Sequence, residues 1–197
     1  QAISKGKKFM HEISTRRLTL RLMSESFFTA SLQNKIAAAE VEIGLKLSPE
    51  WSQEKSLMAL SLADCHADPA YVPWSLRAIG LRASGEMIGH IGFHTRPHPT
   101  YLQSFVPGEI ELGYTIFSAF RREGYATEAI RGLINWAATE YGLGHFVVSI
   151  SPTNLPSLAL AKKLGFTKIG EHQDEIDGPE NVYVLGGAPL PKWLAAD

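Results

Sequence analysis

Leu18, Leu20 and Leu22 alternate with Arg17, Thr19 and Arg21 in the run RRLTLRLM, residues 16–23. A period of two predicts a strand buried on one face. Residues 26–47 read as helical, in one or two pieces around an Ala-rich run at 37–39, until Pro49 ends them. Ser52 is the expected cap of a further helix to Ala67, closed by Pro69. In SLRAIGLRASGEMIGHIGFHT, residues 75–95, two strand-like runs flank Ala83-Ser84-Gly85-Glu86, the pattern of a hairpin. Residues 96–108 carry three prolines and predict a loop long enough to have a function.

EIELGYTIF, residues 109–117, is the next expected strand. Within 126–141, Ala126, Ala129, Ile130, Leu133, Ile134, Ala137 and Tyr141 recur at i, i+3, i+4, i+7 and mark the clearest amphipathic helix of the chain. HFVVSI, residues 145–150, is a short β-branched strand, and a helix to about Leu164 follows SPTN. Two last strands, 166–173 and 181–185, join through DEIDGPE, and the tail GGAPLPKWLAAD reads as irregular. Strands and helices are interspersed without a repeat or a linker. That predicts one α/β or α+β domain over 15–197, preceded by a flexible segment 1–14.

The 197 residues, 45% hydrophobic, suffice for one self-sufficient core. A formal net charge of -1 gives no global reason to expect a nucleic-acid partner or an anionic membrane. Cys65 is the single cysteine, which excludes an intramolecular disulfide and suits a reducing, cytoplasmic compartment. No apolar run approaches the roughly 18 residues of a membrane span. The basic start KGKKFMHEIS lacks the apolar stretch of a secretory signal.

FRREGYATEA, residues 120–129, stands between the strand at 109–117 and the amphipathic helix. A helix N-terminus leaves four N–H groups unpaired and carries about half a positive charge, a ready anion site. Gly124 lets the backbone approach an anion closely, and Arg121 and Arg122 add charged donors. The stretch is neither a Walker A loop nor a G-x-G-x-x-G fingerprint. It fits (Q/R)-x-x-G-x-(G/A) through Arg121, Gly124 and Ala126, a weak signal taken alone.

Downstream, in fixed order, stands NLPSLALAKKLGF, residues 154–166. With ELGYTIFSAFRREGYATEAI, RRLTLRLM and GEMIGHIGFH, it resembles the GNAT acetyltransferase superfamily, and within it the Rim-type (RimJ/RimL) N-terminal acetyltransferases. The resemblance runs from about Thr15 to Leu185. It implies a mixed, mostly antiparallel sheet of about seven strands, splayed at a cofactor cleft, with helices on both faces. Acetyl-CoA would lie between the strands 109–117 and 145–150. Its pyrophosphate would sit among Arg121, Arg122, Glu123, Gly124, Tyr125, Ala126 and Thr127, and its pantetheine arm would pair with the backbone of Ile116 and Phe117. Asn154 matches the family's arm-contacting Asn, and is equally a helix cap ahead of Pro156. Lys162 and Lys163 would meet the nucleotide phosphate, unless they are ordinary solvated lysines.

The reaction so implied is direct attack of a neutral amine on a thioester. An α-amine has a reference pKa near 7.7–8.0 against about 10.4 for lysine, so it asks only for a modest base. Glu111 is the first candidate, with Asp174 and Glu175 of the acidic turn as rivals; Asp177 and Glu180 extend the acidic patch. Ala161 stands where many family members carry a thiolate-binding Tyr, and the Rim-type pattern places Ser157 in that role. His90, His94 and His98 form no closed metal-ligand set and read as surface or pocket residues; Trp51, Trp74 and Trp136 read as core or pocket wall. The expected partners are acetyl-CoA and an amine acceptor, with no metal, nucleic acid or membrane, and a homodimer left open. A protein N-terminus is the leading acceptor. A small amine such as an aminoglycoside is the alternative, and a non-catalytic acyl-CoA-binding module or a cofactor-free structural domain are the rival classes.

Overall fold

The structure, a computed structural model, describes residues 12–102, 109–174, 178–186 and 193. Among these, eight strands form one sheet in the order β1-β2-β3-β4-β5-β6-β8-β7. They are β1 (Ile13–Ser14), β2 (Leu18–Leu22), β3 (Arg77–Leu81), β4 (Met87–Phe93), β5 (Glu109–Ile116), β6 (His145–Ile150), β7 (Thr167–Asp174) and β8 (Gly178–Gly186). All neighbours are antiparallel except β5 and β6. The strand beyond the expected seven is β1, from the segment 1–14: Ile13 is buried, with its methyl group beside Gly132.

The helical stretch 26–47 resolves into α1 (Glu25–Leu32) and α2 (Ile36–Ile43), and α3 spans Lys55–Ala67. Ser52 does not cap α3. It lies inside a 3-10 turn, Pro49–Gln53, where its hydroxyl donates to Pro49 O at 2.6 Å. Prolines favour such starts because their missing N–H and fixed φ are already suited to a first turn. α4 (Tyr125–Tyr141) and α5 (Leu155–Leu164) complete the set.

The two helix groups cover opposite faces. α4 buries Ala129, Ile130, Leu133, Ile134 and Ala137, the expected face, against Leu18, Leu20, Ile79, Ile91, Phe93 and Ile110. Each fully buried Leu or Ile there contributes about 1.5–3 kcal/mol. Tyr141 closes that face less completely, tilted against Trp74 with ring centroids 4.4 Å apart. Across the sheet, α1, α2 and α3 pack Phe27, Phe28, Ile43 and Met58 with Trp51 and Phe117. Trp51 stacks on Phe27 at 5.5 Å, and its indole N–H donates to Ser31 Oγ at 3.1 Å.

His90 is enclosed in this second core, edge-on to Trp51 at 5.9 Å and Phe117 at 6.2 Å, with Glu54 4.0 Å from its Nε2. Burial disfavours its cation and pushes its pKa down to about 4. The unfolded chain therefore takes up a proton below about pH 6.5 that the native state refuses until about pH 4. Stability is level above that window and falls as pH drops through it, by up to about 3 kcal/mol. Urea unfolding at pH 7 and 4.5 is expected to show that loss in the native chain and a smaller one in His90→Gln. Equal acid losses in both would assign the titration elsewhere.

Candidate active site

β5 and β6 pair only at Glu109↔His145, Ile110↔Phe146 and Glu111↔Val147. Beyond that point β5 follows β4 and β6 follows β8, and the sheet opens between them. A cavity of about 320 Å³ occupies the opening, lined among others by Tyr114, Ser149, Asn154, Ser157 and Glu180. Side chains alternate along β5, so the cleft has two chemically different mouths. Leu112 and Tyr114 turn toward the α4–α5 face, and Glu111 and Gly113 toward the other.

On the α4–α5 side the Tyr114 hydroxyl donates to Ser157 Oγ at 3.2 Å. Asn154 is the cap of α5, its Oδ1 accepting from Ser157 N–H at 3.3 Å, and it also lines the cleft. Burial raises the Tyr114 phenol, a shift that the Ser157 bond opposes. Ala161 is buried. Position 161 on α5 thus carries no phenol, and the one beside Ser157 comes from Tyr114 on β5.

On the opposite side Glu111 is buried at 5% exposure. Tyr101, from the 3-10 turn Thr100–Leu102, donates to its Oε2 at 2.7 Å, and His94 Nδ1 lies 3.7 Å away. Burial works against ionisation of Glu111, but His94, Ser149 and Tyr101 outweigh it and hold the carboxyl at about 2. A carboxylate so well satisfied is a weak proton acceptor, which argues against Glu111 as a direct base. Of its rivals, Asp174 joins β7 to β8 by pairing with Gly178, while Glu175 lies outside the described residues, as do the side chain of Asp174 and Asp177 of the acidic patch. Glu180 does line the cleft.

The turn into α4 has the form expected of an anion cradle. Arg122 (φ 65) and Gly124 (φ 78) are both left-handed, curling the chain through Glu123 before Tyr125, Ala126 and Thr127 open the helix. The cap residue Gly124 has no side chain, so no side-chain acceptor caps those first amides. Arg121 Nε donates to Ile116 O at 2.9 Å, which makes Arg121 a brace of the turn. At Phe117 the N–H donates to Ile88 O and the carbonyl accepts from Phe120, so its donor is taken and only a second lone pair of its oxygen remains for a pantetheine arm. Alternation along β5 instead turns the backbone of Tyr114 and the N–H of Ile116 toward the gap. Lys162 and Lys163 are exposed in the last turn of α5, where they complement the helix dipole.

Two supports of the turn escaped the sequence. The Glu50 carboxylate accepts from Ser118 N–H at 2.9 Å and from its hydroxyl at 2.7 Å, bonds that lower its pKa. Arg17 donates to Glu123 O at 3.0 Å, lies 4.4 Å over the Tyr125 ring and pairs with Glu128 at 2.6 Å. Neither contact has a local signal, because each joins residues far apart in the chain.

A model of the family described as "Acetyltransferase (GNAT) domain" matches residues 17–167. The chain belongs to the GNAT acetyltransferase family. As such it is an enzyme that takes its acetyl group from acetyl-CoA, and the cradle and strand edges just described fit that substrate. Of curated proteins, the GNAT chain is 26% identical over 159 residues to "Uncharacterized N-acetyltransferase YjdG" of Bacillus subtilis, covering 78% of this chain and 88% of that one. Its fold is similar to the Salmonella typhimurium acetyl transferase that modifies the N-terminal serine of 50S ribosomal subunit protein L7/L12, with TM-score 0.61 and 18% identity over 89% of this chain and 99% of that one. It is also similar to RimL, the ribosomal L7/L12 alpha-N-protein acetyltransferase in complex with coenzyme A, with TM-score 0.59 and 16% identity over 88% and 96% of the two chains. Both likenesses are of fold. Among the described residues no group of His, Cys, Asp or Glu is arranged to hold a metal, and no helix is long and apolar enough to cross a membrane.

Proposed function

We propose that this GNAT enzyme acetylates the α-amine of a protein or peptide N-terminus, in a reducing, cytoplasmic setting. The observation that carries the reading is the two-sided cleft through the sheet. Hydroxyl donors, Tyr114 and Ser157, stand at the mouth beside the phosphate cradle, and acidic groups, Glu111 and Glu180, at the other. A thiolate leaves at the first mouth, and a cationic amine is drawn to the second. The α-amine is favoured over lysine because much more of it is neutral near pH 7, so the site needs no strong base. The names of the structural neighbours point to the same acceptor.

Ser157 and Tyr114 are assigned as donors to the departing thiolate, and Asn154 as the residue that holds Ser157 in place. A thiolate of pKa about 8.5 is already a fair leaving group, so Ser157→Ala with Tyr114→Phe is expected to lower kcat only about 10-fold, below the roughly 100-fold at which general-acid effects begin. Acetyl-CoA affinity in the double variant should stay unchanged by calorimetry. The function is tested by incubating the chain with acetyl-CoA and either N-terminal peptides or aminoglycosides, followed by mass spectrometry. Mass gain confined to peptide α-amines supports the reading. Gain on aminoglycosides alone would make this a small-amine enzyme, and saturable binding without turnover would make it an acyl-CoA-binding module.

A further inference from the structure

We propose that His94 is the group that accepts the proton of the attacking amine, with Glu111 as its positioning residue. This rests on the amine-acetylation reading above. His94 immediately follows β4 and stands opposite Glu111, its N–H donating to Glu111 O at 2.9 Å. Cross-strand partners share a face, so both side chains turn to the mouth away from α4 and α5. The next β5 residue on that face is Gly113, and its bareness is what admits the imidazole. A Cβ built there would meet His94 Nε2 at 2.6 Å. The ring therefore lies over Gly113, a residue that lines the cleft, with Nδ1 toward Glu111 and Nε2 directly over the glycine.

The surroundings suit a base that works near neutrality. Glu111 beside Nδ1 favours the tautomer whose lone pair is on Nε2. Tyr101 and Ser149 in turn hold Glu111 ionised. Desolvation of the side chain opposes its charge, but the adjacent Glu111 carboxylate, with Glu180 on β8, prevails and raises His94 above the ordinary histidine value. Raised in this way, His94 stands nearer to an α-ammonium of pKa about 7.7–8.0 than does Glu111, held at about 2. The His94 side chain is about half exposed, a path by which the proton leaves.

The step balances without any further reactant. The amine nitrogen attacks the thioester carbonyl, and the C–N bond forms as the C–S bond breaks. The amine proton passes to His94 Nε2, the sulfur departs as thiolate, and His94 returns its proton to solvent.

The test compares the native chain with His94→Gln and His94→Gly, using acetyl-CoA and a peptide whose α-amine the native chain acetylates. His94→Gln is expected to lose about 100-fold in kcat, the lower bound for a positioned base, with acetyl-CoA affinity unchanged. In His94→Gly, added imidazoles should restore turnover in proportion to their basicity, which a purely structural histidine would not produce. A His94→Gln rate within about threefold of native overturns the proposal and leaves the amine-acetylation reading standing. So does a loss that imidazole fails to restore and that follows acetyl-CoA affinity. No turnover by the native chain on any peptide or small amine overturns both.

Discussion

Gly124→Glu is expected to abolish saturable acetyl-CoA binding while the chain still folds. Gly124 is left-handed at φ 78, and the nearest atom to a Cβ there is Arg17 Nη2 at 3.5 Å, so a side chain has room. The left-handed backbone costs a non-glycine residue about 1–3 kcal/mol, a part of the 5–15 kcal/mol that holds a domain together. The added carboxylate, however, stands where the first amides of α4 would receive a phosphate. Loss of two charge-assisted hydrogen bonds, about 1.5–3 kcal/mol each, already lowers affinity by more than 100-fold before repulsion is counted. Gly124→Asn separates strain from charge, since Asn visits the left-handed region and carries no charge. Calorimetric titration should show near-native affinity for Asn and none for Glu, with both proteins folded by circular dichroism. Full affinity in the Glu variant would move the pyrophosphate away from this turn.

Trp51→Ala is expected to be the most destabilising single truncation in the α1–α3 core and to weaken the cofactor site from a distance. The indole is 1% exposed, stacks on Phe27 and is bonded to Ser31. Its removal costs about 3–5 kcal/mol. For a domain of this size that lowers the Tm by about 10 °C. The same 3-10 turn carries Glu50, whose carboxylate holds Ser118 ahead of the phosphate cradle. Loosening the turn should therefore weaken acetyl-CoA binding at a temperature where the variant is still folded. Thermal melts followed by titration in the cold check both effects. Native affinity in a folded variant would show that the Glu50 contact holds without Trp51 beneath it.

Much of this architecture was legible because it is periodic or punctuated. Leu18 and Leu20 of β2 and the stripe from Ala129 to Ala137 report buried faces directly, although Thr19 between the leucines is buried as well. The order of strand, Gly-containing turn and amphipathic helix likewise announced the left-handed turn at Gly124 that opens α4. Local capping was less reliable: Ser52 looked like a helix start, and Pro49 took that position for a 3-10 turn. That Phe117 spends its N–H on Ile88 was not legible, because a strand's edge pairing depends on its neighbour's register, which no local pattern contains. Glu111 stood out as a carboxylate in a strand, but nothing nearby in sequence revealed how fully its charge is satisfied.

The sequence by itself determined the family, the number and kind of elements to within one short strand, and the turn where phosphate is expected to dock. Only the tertiary structure decided which groups meet around the cleft. Tyr114 reaches Ser157 across 43 positions, Glu50 reaches Ser118 across 68, and Arg17 reaches Glu128 across 111. His94 comes to Glu111 through the β4–β5 register and through the missing side chain of Gly113. The physical reason is the same in each case. Periodicity is set by the geometry of one element and can be read along the chain. The meeting of two side chains is set by the register and packing between elements, which exist only once the sheet has formed and its two halves have parted.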